Sequence, residues 1–339
     1  MASLPYELLA KILDEHANDL FTLHSCILVN RLWCTMALQH LWAKPFALLC
    51  SSPSRRHNQL VENLLTTFTE CFTDADTLKS ASPLHKKHSK KLPFDYSLYV
   101  KEICPGDIYS LAGQTSKQYC ARKIVRLAIK YCANIETLSL ASPNIIIDQI
   151  QFLVSIESLP RLRNVSLYYH STDRIFNILS EVAHNLVSIS VGTCWSGINT
   201  FDKKPTHGLQ KLIQSQHQLK AFTIQNFKVK MGPLFKLLES RSNSLTSLVI
   251  ECADIDCDNL NIESIKFHRL TSIYIKNCTI LEGGLKAISK ADSLLPRLQK
   301  LEFENTEWRS KSDQIPLQNK YRHQIINSGH IIFTREAVS

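Results

Sequence analysis

The sequence predicts a mixed α/β chain in which a three-helix module precedes a stack of strand–helix units. Three observations carry this reading. Apolar residues in the first fifty positions recur at helical spacing. From residue 135 onward, a pattern of apolar-x-x-apolar-x-apolar recurs seven times. Only 9 of 339 residues are glycine, too few for Gly-rich phosphate loops or for a run of hairpin turns.

Three short helices fit residues 1–50. Pro5 stands where the first turn opens, a position at which its missing N–H costs nothing. Glu7 suits the positive end of that helix. Leu8, Leu9, Ile12 and Leu13 form its apolar stripe. Asn18 and Asp19 are candidate caps for a second helix carrying Leu20 and Leu23. A third holds Leu28, Val29, Leu32, Trp33, Met36, Ala37 and Leu41, adjacent pairs repeating every four residues, and Pro45 ends the segment. Three helices of this size cannot bury so many large side chains among themselves. An apolar surface is left over, either for a partner or for the rest of the same chain.

Particular residues favour the partner. Leu4-Pro5-x-Glu7-Leu8-Leu9-x-x-Ile12-Leu13 resembles the opening of an F-box, and Asp19-Leu20 and Leu23 follow at the expected distance. Val29-Asn30-Arg31-Leu32-Trp33 resembles that family's Val-Cys-Lys-Arg-Trp segment, and Leu41-Trp42 its closing Leu-Trp. The likeness covers about residues 3–46, with Asn30 where Cys is common and Leu32 where a basic residue is common. It implies docking on the Skp adaptor and, through it, on a cullin–RING ubiquitin ligase. Leu4, Pro5, Leu8, Ile12, Val29 and Trp33 would supply the docking surface. Leu13, Leu23 and Leu41 would pack internally.

Residues 51–92 read as a basic linker. Residues 59–72 fit one helix, with Leu60, Leu64, Leu65 and Phe68 in register. Residues 79–92 are lysine-rich and nearly devoid of apolar side chains, the composition of a solvated loop. The linker holds seven Lys and Arg against four acids, whereas residues 1–50 hold three against four. The overall charge of +9 therefore belongs to the linker and the repeats. No aromatic residues interleave with the lysines to stack on bases, which argues against nucleic acid.

The repeats begin at Ile135, Leu162, Leu186, Leu219, Leu245, Leu270 and Leu298, separated by 27, 24, 33, 26, 25 and 28 residues. This is the leucine-rich-repeat signature of a strand followed by a helix or turn. Helical stripes lie between copies at 173–182, Leu209/Leu212/Ile213 and Leu234/Leu237/Leu238, and before the first at Ile124/Leu127/Ala128/Tyr131. Residues 96–104 fit a degenerate leading strand, 261–267 a turn, and 197–207 the insertion behind the 33-residue spacing. Each unit leaves an apolar face uncovered, so neighbours must stack. The expected domain is a solenoid over 93–339, with parallel strands on the concave face and helices on the convex face. Clear repeats run over 135–306 and a C-terminal cap over 307–339. Cys194, Asn226, Cys252, Cys278 and Asn305 follow the strands, where they satisfy turn backbone. The combination resembles the F-box/leucine-rich-repeat proteins, including expanded fungal families.

Strand side chains alternate faces, so residues between the repeated apolar positions line the concave surface. The early repeats offer Thr137, Ser139, Asn164, Ser166, Ser188 and Ser190; the later ones offer larger groups. The candidate substrate surface is Tyr168, Gln225, Glu251, Tyr274, Lys276 and Glu302, with Trp195 as a further loop contact.

Other classes are excluded on composition. The longest stretch free of Asp, Glu, Lys and Arg, 182–201, is too polar for a membrane span, and charges interrupt any signal-peptide core near the start. Eleven scattered cysteines without a Cys-x-x-Cys pair read as reduced thiols rather than disulfides or metal ligands. No nucleophile elbow, zincin motif or Walker loop is present. The expectation is a non-catalytic, cofactor-free and metal-free subunit of the cytoplasm or nucleus that holds a protein substrate for ubiquitylation. The rivals are a repeat scaffold acting outside ubiquitylation and a nucleic-acid- or protein-binding repeat protein.

Overall fold

A computed structural model describes residues 5–51, 57–80, 94–115, 121–140, 159–168, 173–192, 207–226, 228–256, 266–280, 295–308, 322–327 and 330–334. The chain divides into two compact units, Met1–Leu162 and Arg163–Ser339. Both mix helix and strand, and the sheet is open and mostly parallel rather than a closed barrel.

The first unit opens with α1 (Tyr6–Glu15), α2 (Leu20–Ile27) and α3 (Arg31–Ala43). Asp19 caps α2: its carboxylate accepts from the backbone N–H of Phe21 and Thr22 at 3.0 and 3.1 Å and from the Thr22 hydroxyl at 2.7 Å. Asn18, the other candidate cap, accepts from the Lys44 ammonium instead. Asn30 caps α3 by accepting from the Trp33 N–H at 3.1 Å. An Asn suits that place, because a short side-chain oxygen satisfies an orphan N–H of the first turn. Leu9, Leu13, Leu23, Cys26, Met36, Ala37 and Leu48 form the core of this bundle, with Trp33 and Leu41 half-buried against it.

The third helix stops at Ala43, just before Pro45, but a further helix follows. Pro45 opens α4 (Pro45–Cys50) at the first helical position, where proline is pre-shaped for the turn. The linker helix is longer than its apolar register indicates: α5 runs His57–Ser80, with Val61, Leu65 and Phe68 buried. Residues 81–93 lie outside the described residues. An aromatic cluster joins these helices. Trp42 of α3 stacks on Tyr96 at 4.3 Å and on Phe68 at 6.3 Å, and Phe46 meets Phe68 edge-on at 5.0 Å.

A single turn of 3₁₀ helix at Tyr96–Leu98 precedes β1 (Glu102–Ile103), the leading strand expected near residues 96–104. Next come α6 (Pro105–Gly113), α7 (Ala121–Tyr131) and β2 (Thr137–Leu140), which pairs parallel to β1. The apolar register at 121–131 had pointed to α7, whereas α6 had no reading from sequence. Its stripe of Ile108, Leu111 and Ala112 spans little more than one turn, although Pro105 at the first position is a start signal.

The second unit contains β3 (Asn164–Tyr168), α8 (Asp173–Val182), β4 (Ser188–Gly192), α9 (His207–Ser215), β5 (Ala221–Gln225), β6 (Lys228–Lys230) and α10 (Met231–Leu238). Then follow β7 (Ser247–Glu251), β8 (Asp254–Asp256), β9 (Ser272–Lys276), β10 (Thr279–Ile280), β11 (Lys300–Glu304), β12 (Glu307–Trp308), β13 (Arg322–Asn327) and β14 (His330–Thr334). Strands β3, β4, β5, β7, β9 and β11 lie side by side, parallel and in strict register. That register stacks Val165, Ile189, Phe222, Leu248, Ile273 and Leu301 in one inward row, all buried. Leu167, Val191, Ile224, Ile250, Ile275 and Phe303 form a second such row. Two rows of six large apolar side chains are what hold the register, since slipping one residue would turn every one of them to the opposite face.

Each of the later strands ends in one left-handed residue: Asn226, Cys252, Asn277 and Asn305, with φ between 49° and 59°. The first three continue the ladder through their own N–H groups, which donate to Glu251, Lys276 and Glu304 carbonyls at 2.8–2.9 Å. Asn tolerates this conformation better than other non-glycine residues, which answers how a glycine-poor chain makes repeated sharp corners. In the penultimate repeat the corner belongs to Asn277, not Cys278. The Cys278 thiol is buried and lies 3.0 Å from the Lys276 carbonyl. Cys194 lies outside the described residues. Past each corner the short strands β6, β8, β10 and β12 form a second parallel sheet.

The parallel order ends at β11, where β14 pairs antiparallel to it and β13 antiparallel to β14. Between the helices and strands, Gln216 is a fully buried clamp. Its carbonyl accepts from the Leu186 N–H at 3.0 Å, and its amide donates to the carbonyls of Ala183 and Leu212 at 2.6 and 3.1 Å.

Candidate protein-docking surfaces

The first surface lies on the opening helices. Large apolar side chains that stay exposed are concentrated there: Tyr6, Leu8 and Ile12 on α1, Phe21 on α2, Leu28 and Val29 in the turn after it, and Leu32 on α3. Among the described residues, Leu98 is the other large apolar side chain of this kind. Single exposed leucines are ordinary, whereas seven large exposed apolar side chains within 27 residues make this stretch a candidate docking surface.

The helical register shows why these groups point outward. Leu9 and Leu13 are fully buried, while their neighbours Leu8 and Ile12 are 48% and 40% exposed. One stripe of α1 is spent on the internal core and the adjoining stripe is left over. Of the residues expected to dock, Pro5, Leu8, Ile12 and Val29 are exposed. Trp33 is half-buried and packs on the core, so its ring serves stability as well as surface. Leu4 lies outside the described residues. Leu13 and Leu23 are buried as internal packing requires. Tyr6, Phe21, Leu28 and Leu32 are members of the surface that the sequence reading missed. The available signal for Leu28 and Leu32 was their place on an apolar face too wide for the bundle to bury.

The second surface is the outward face of the strands. Register places Ser166, Ser190, Thr223, Val249, Tyr274 and Glu302 in one row across the sheet. Tyr168, Gly192, Gln225, Glu251, Lys276 and Glu304 form the next. Gln225, Glu251, Tyr274, Lys276 and Glu302 are thereby brought together on neighbouring strands. The backbone of Tyr168 closes β3 in the same row, and its side chain lies outside the described residues, as does Trp195.

The polar groups on this face are paired with one another. The Gln225 amide donates to Glu251 Oε2 at 2.8 Å. Lys276 Nζ meets Glu304 Oε2 at 2.9 Å, and Lys300 Nζ meets Glu302 Oε2 at 2.6 Å. Lys300 Nζ also sits 5.1 Å from the centre of the Tyr274 ring. Hydrogen bonding to Glu304, then its charge, raises the Lys276 ammonium above the ordinary lysine range; Glu302 does the same for Lys300. Glu302 differs from its neighbours in being buried at 8% exposure. It anchors Lys300 rather than offering a free carboxylate, and Tyr274 and Lys276 are the more accessible groups. An ion approaching this face would have to displace an existing partner.

Among the described residues, no group of three or more His, Cys, Asp or Glu side chains is placed to hold a metal ion, and no helix is long and apolar enough to cross a membrane. Burial pushes the thiols of Cys71 and Cys278 up to about 12, leaving them protonated and poorly nucleophilic. No protein-family model matches the chain, and no curated protein matches it in sequence.

Proposed function

We propose that the chain is the substrate-recognition adaptor of a Skp–cullin–F-box ubiquitin ligase, acting without catalysis of its own in the cytoplasm or nucleus. The opening helices are read as an F-box and the strand units as a leucine-rich-repeat solenoid. The observation that supports this most directly is the exposed cluster around Leu8, Ile12 and Val29, whose neighbours Leu9, Leu13 and Leu23 are fully buried. The three-helix bundle already has its core, so the leftover apolar stripe calls for a partner. The Skp adaptor is that partner in the F-box reading. The strand face carrying Tyr274 and Lys276 then holds a protein target, and the ligase partners supply the chemistry while this chain supplies proximity and orientation.

The test is affinity purification followed by mass spectrometry of the intact protein against a variant with Pro5→Ser and Leu8→Asp together. The adaptor and cullin are expected with the first and absent from the second. Equal recovery with both proteins, or no adaptor with either, refutes the proposal. On the strand face, Tyr274→Ala is expected to leave the fold intact and weaken target capture. Unchanged capture by Tyr274→Ala and Lys276→Ala together refutes the assignment of that face.

A further inference from the structure

A cleft of about 380 Å³ opens within the first unit between α2, α3, α4 and α5. Phe21, His24, Trp42, Leu49, Leu60 and Leu64 are among its walls. It requires α5, so it exists only where the opening helices meet the helix that the sequence places in the linker. The walls are held from behind. The opposite side of α2 is tied into the bundle core by Leu23 and Cys26, and Trp42 is wedged between Tyr96 and Phe68. The Lys101 N–H donates to the Ala43 carbonyl at 2.9 Å, fixing the end of α3.

We infer that this cleft is a binding site for a small, mainly apolar molecule with one hydrogen-bond-accepting head, a monocarboxylic acid being the simplest form. The size falls in the range of small-molecule sites, roughly 300–1,000 Å³. It is more than twice the ~150 Å³ apolar cavity that takes up a single benzene ring, so two fused rings with a substituent fit. Chemistry selects the class. No Lys, Arg, Asp or Glu lines the cleft, and His24 is its one ionisable wall residue. Phosphates, sugars and zwitterions would carry several polar groups against apolar walls and lose their hydration without replacement, whereas the single head of a monocarboxylic acid stays at His24, which is exposed to water. Water fares little better, because an ordered water needs two to four polar partners. Displacing such water with an apolar body is favourable, and the His24 imidazole offers one N–H to a head group. The site does not depend on the ubiquitin-ligase reading.

Isothermal titration of the full chain with 2-naphthoic acid and with its methyl ester tests the inference. The acid is expected to bind saturably at one site. Leu64→Phe and Leu49→Phe, which fill the cleft, are expected to weaken it at least tenfold with an unchanged circular dichroism spectrum. His24→Leu is expected to weaken the acid more than the ester, whose carbonyl accepts less strongly than a carboxylate, and this variant keeps the test decisive if the filled variants do not fold. Leu8→Asp, outside the cleft, separates the two readings: it is expected to lose adaptor capture and retain the acid. Absence of saturable binding at about 1 mM acid, or equal affinity in the His24→Leu and wild-type chains, overturns the inference.

Discussion

Leu8 and Leu9 are adjacent in α1, yet they should fail in opposite ways when cut to alanine. Leu9 is fully buried among Leu13, Leu23 and Met36. Leu9→Ala removes its transfer energy and leaves a cavity, which costs about 2–5 kcal/mol of folding stability. Leu8 has 48% of its surface in water, and truncation of an exposed side chain ordinarily changes stability within about 0.5 kcal/mol. Its cost should instead appear in binding. Fully burying a leucine contributes about 1.5–3 kcal/mol, and the half still exposed accounts for about 1 kcal/mol on docking. Since 1.4 kcal/mol is a factor of ten, Leu8→Ala should weaken adaptor binding roughly five- to tenfold. Urea denaturation of the isolated chain, followed by tryptophan fluorescence, measures the first quantity; titration with purified Skp adaptor measures the second. If Leu8→Ala destabilises the isolated chain as much as Leu9→Ala, the exposed stripe is internal packing and the docking argument fails.

Three further outcomes are expected. Gln216→Leu should destabilise the second unit by about 1–3 kcal/mol, read by denaturant unfolding, because the Leu186 N–H and the Ala183 carbonyl lose their buried partner. Asn277→Val should cost about 1–2 kcal/mol, since a β-branched residue is forced to φ of 51°, whereas Asn277→Gly should be tolerated; equal melting temperatures for the two would refute the strain argument. Burial raises the Glu102 carboxyl above its ordinary value, with Lys44 opposing and Asp107 reinforcing. A folded pKa above the unfolded one means the favourable contribution is present at low pH and lost as pH rises through the folded value. Glu102→Gln should therefore raise the melting temperature at neutral pH, and the gain should shrink as the pH falls into the carboxyl range.

The seven apolar hexads were legible because strand alternation is a local rule. All their repeated positions, from Ile135, Leu138 and Leu140 to Leu298, Leu301 and Phe303, are buried. Helix α8 was legible for the same reason: Ile175 and Leu179 repeat every four residues and both are buried. At Pro45 the end of α3 was legible and the start of α4 was not, because proline both follows one helix and opens the next. The burial of Glu302 was not legible either. A glutamate on the outward row reads as solvent-facing until the antiparallel strand β14 is set beside it, with Ile332 opposite Glu302 in the register.

By itself, the sequence determined the repeated strands, the helical registers of α1 and α8, and the inward rows of the sheet. These depend on periods of about 2 and 3.6 residues, read within a single segment. Only the tertiary structure decided what distant segments make together: the aromatic cluster of Trp42, Phe68 and Tyr96, the cleft closed by α5, and the pairing of Lys276 with Glu304. The reason is physical. Burial and charge pairing depend on which side chains meet, and a repeat of 24–33 residues shows that units stack without showing which of their outward side chains pair.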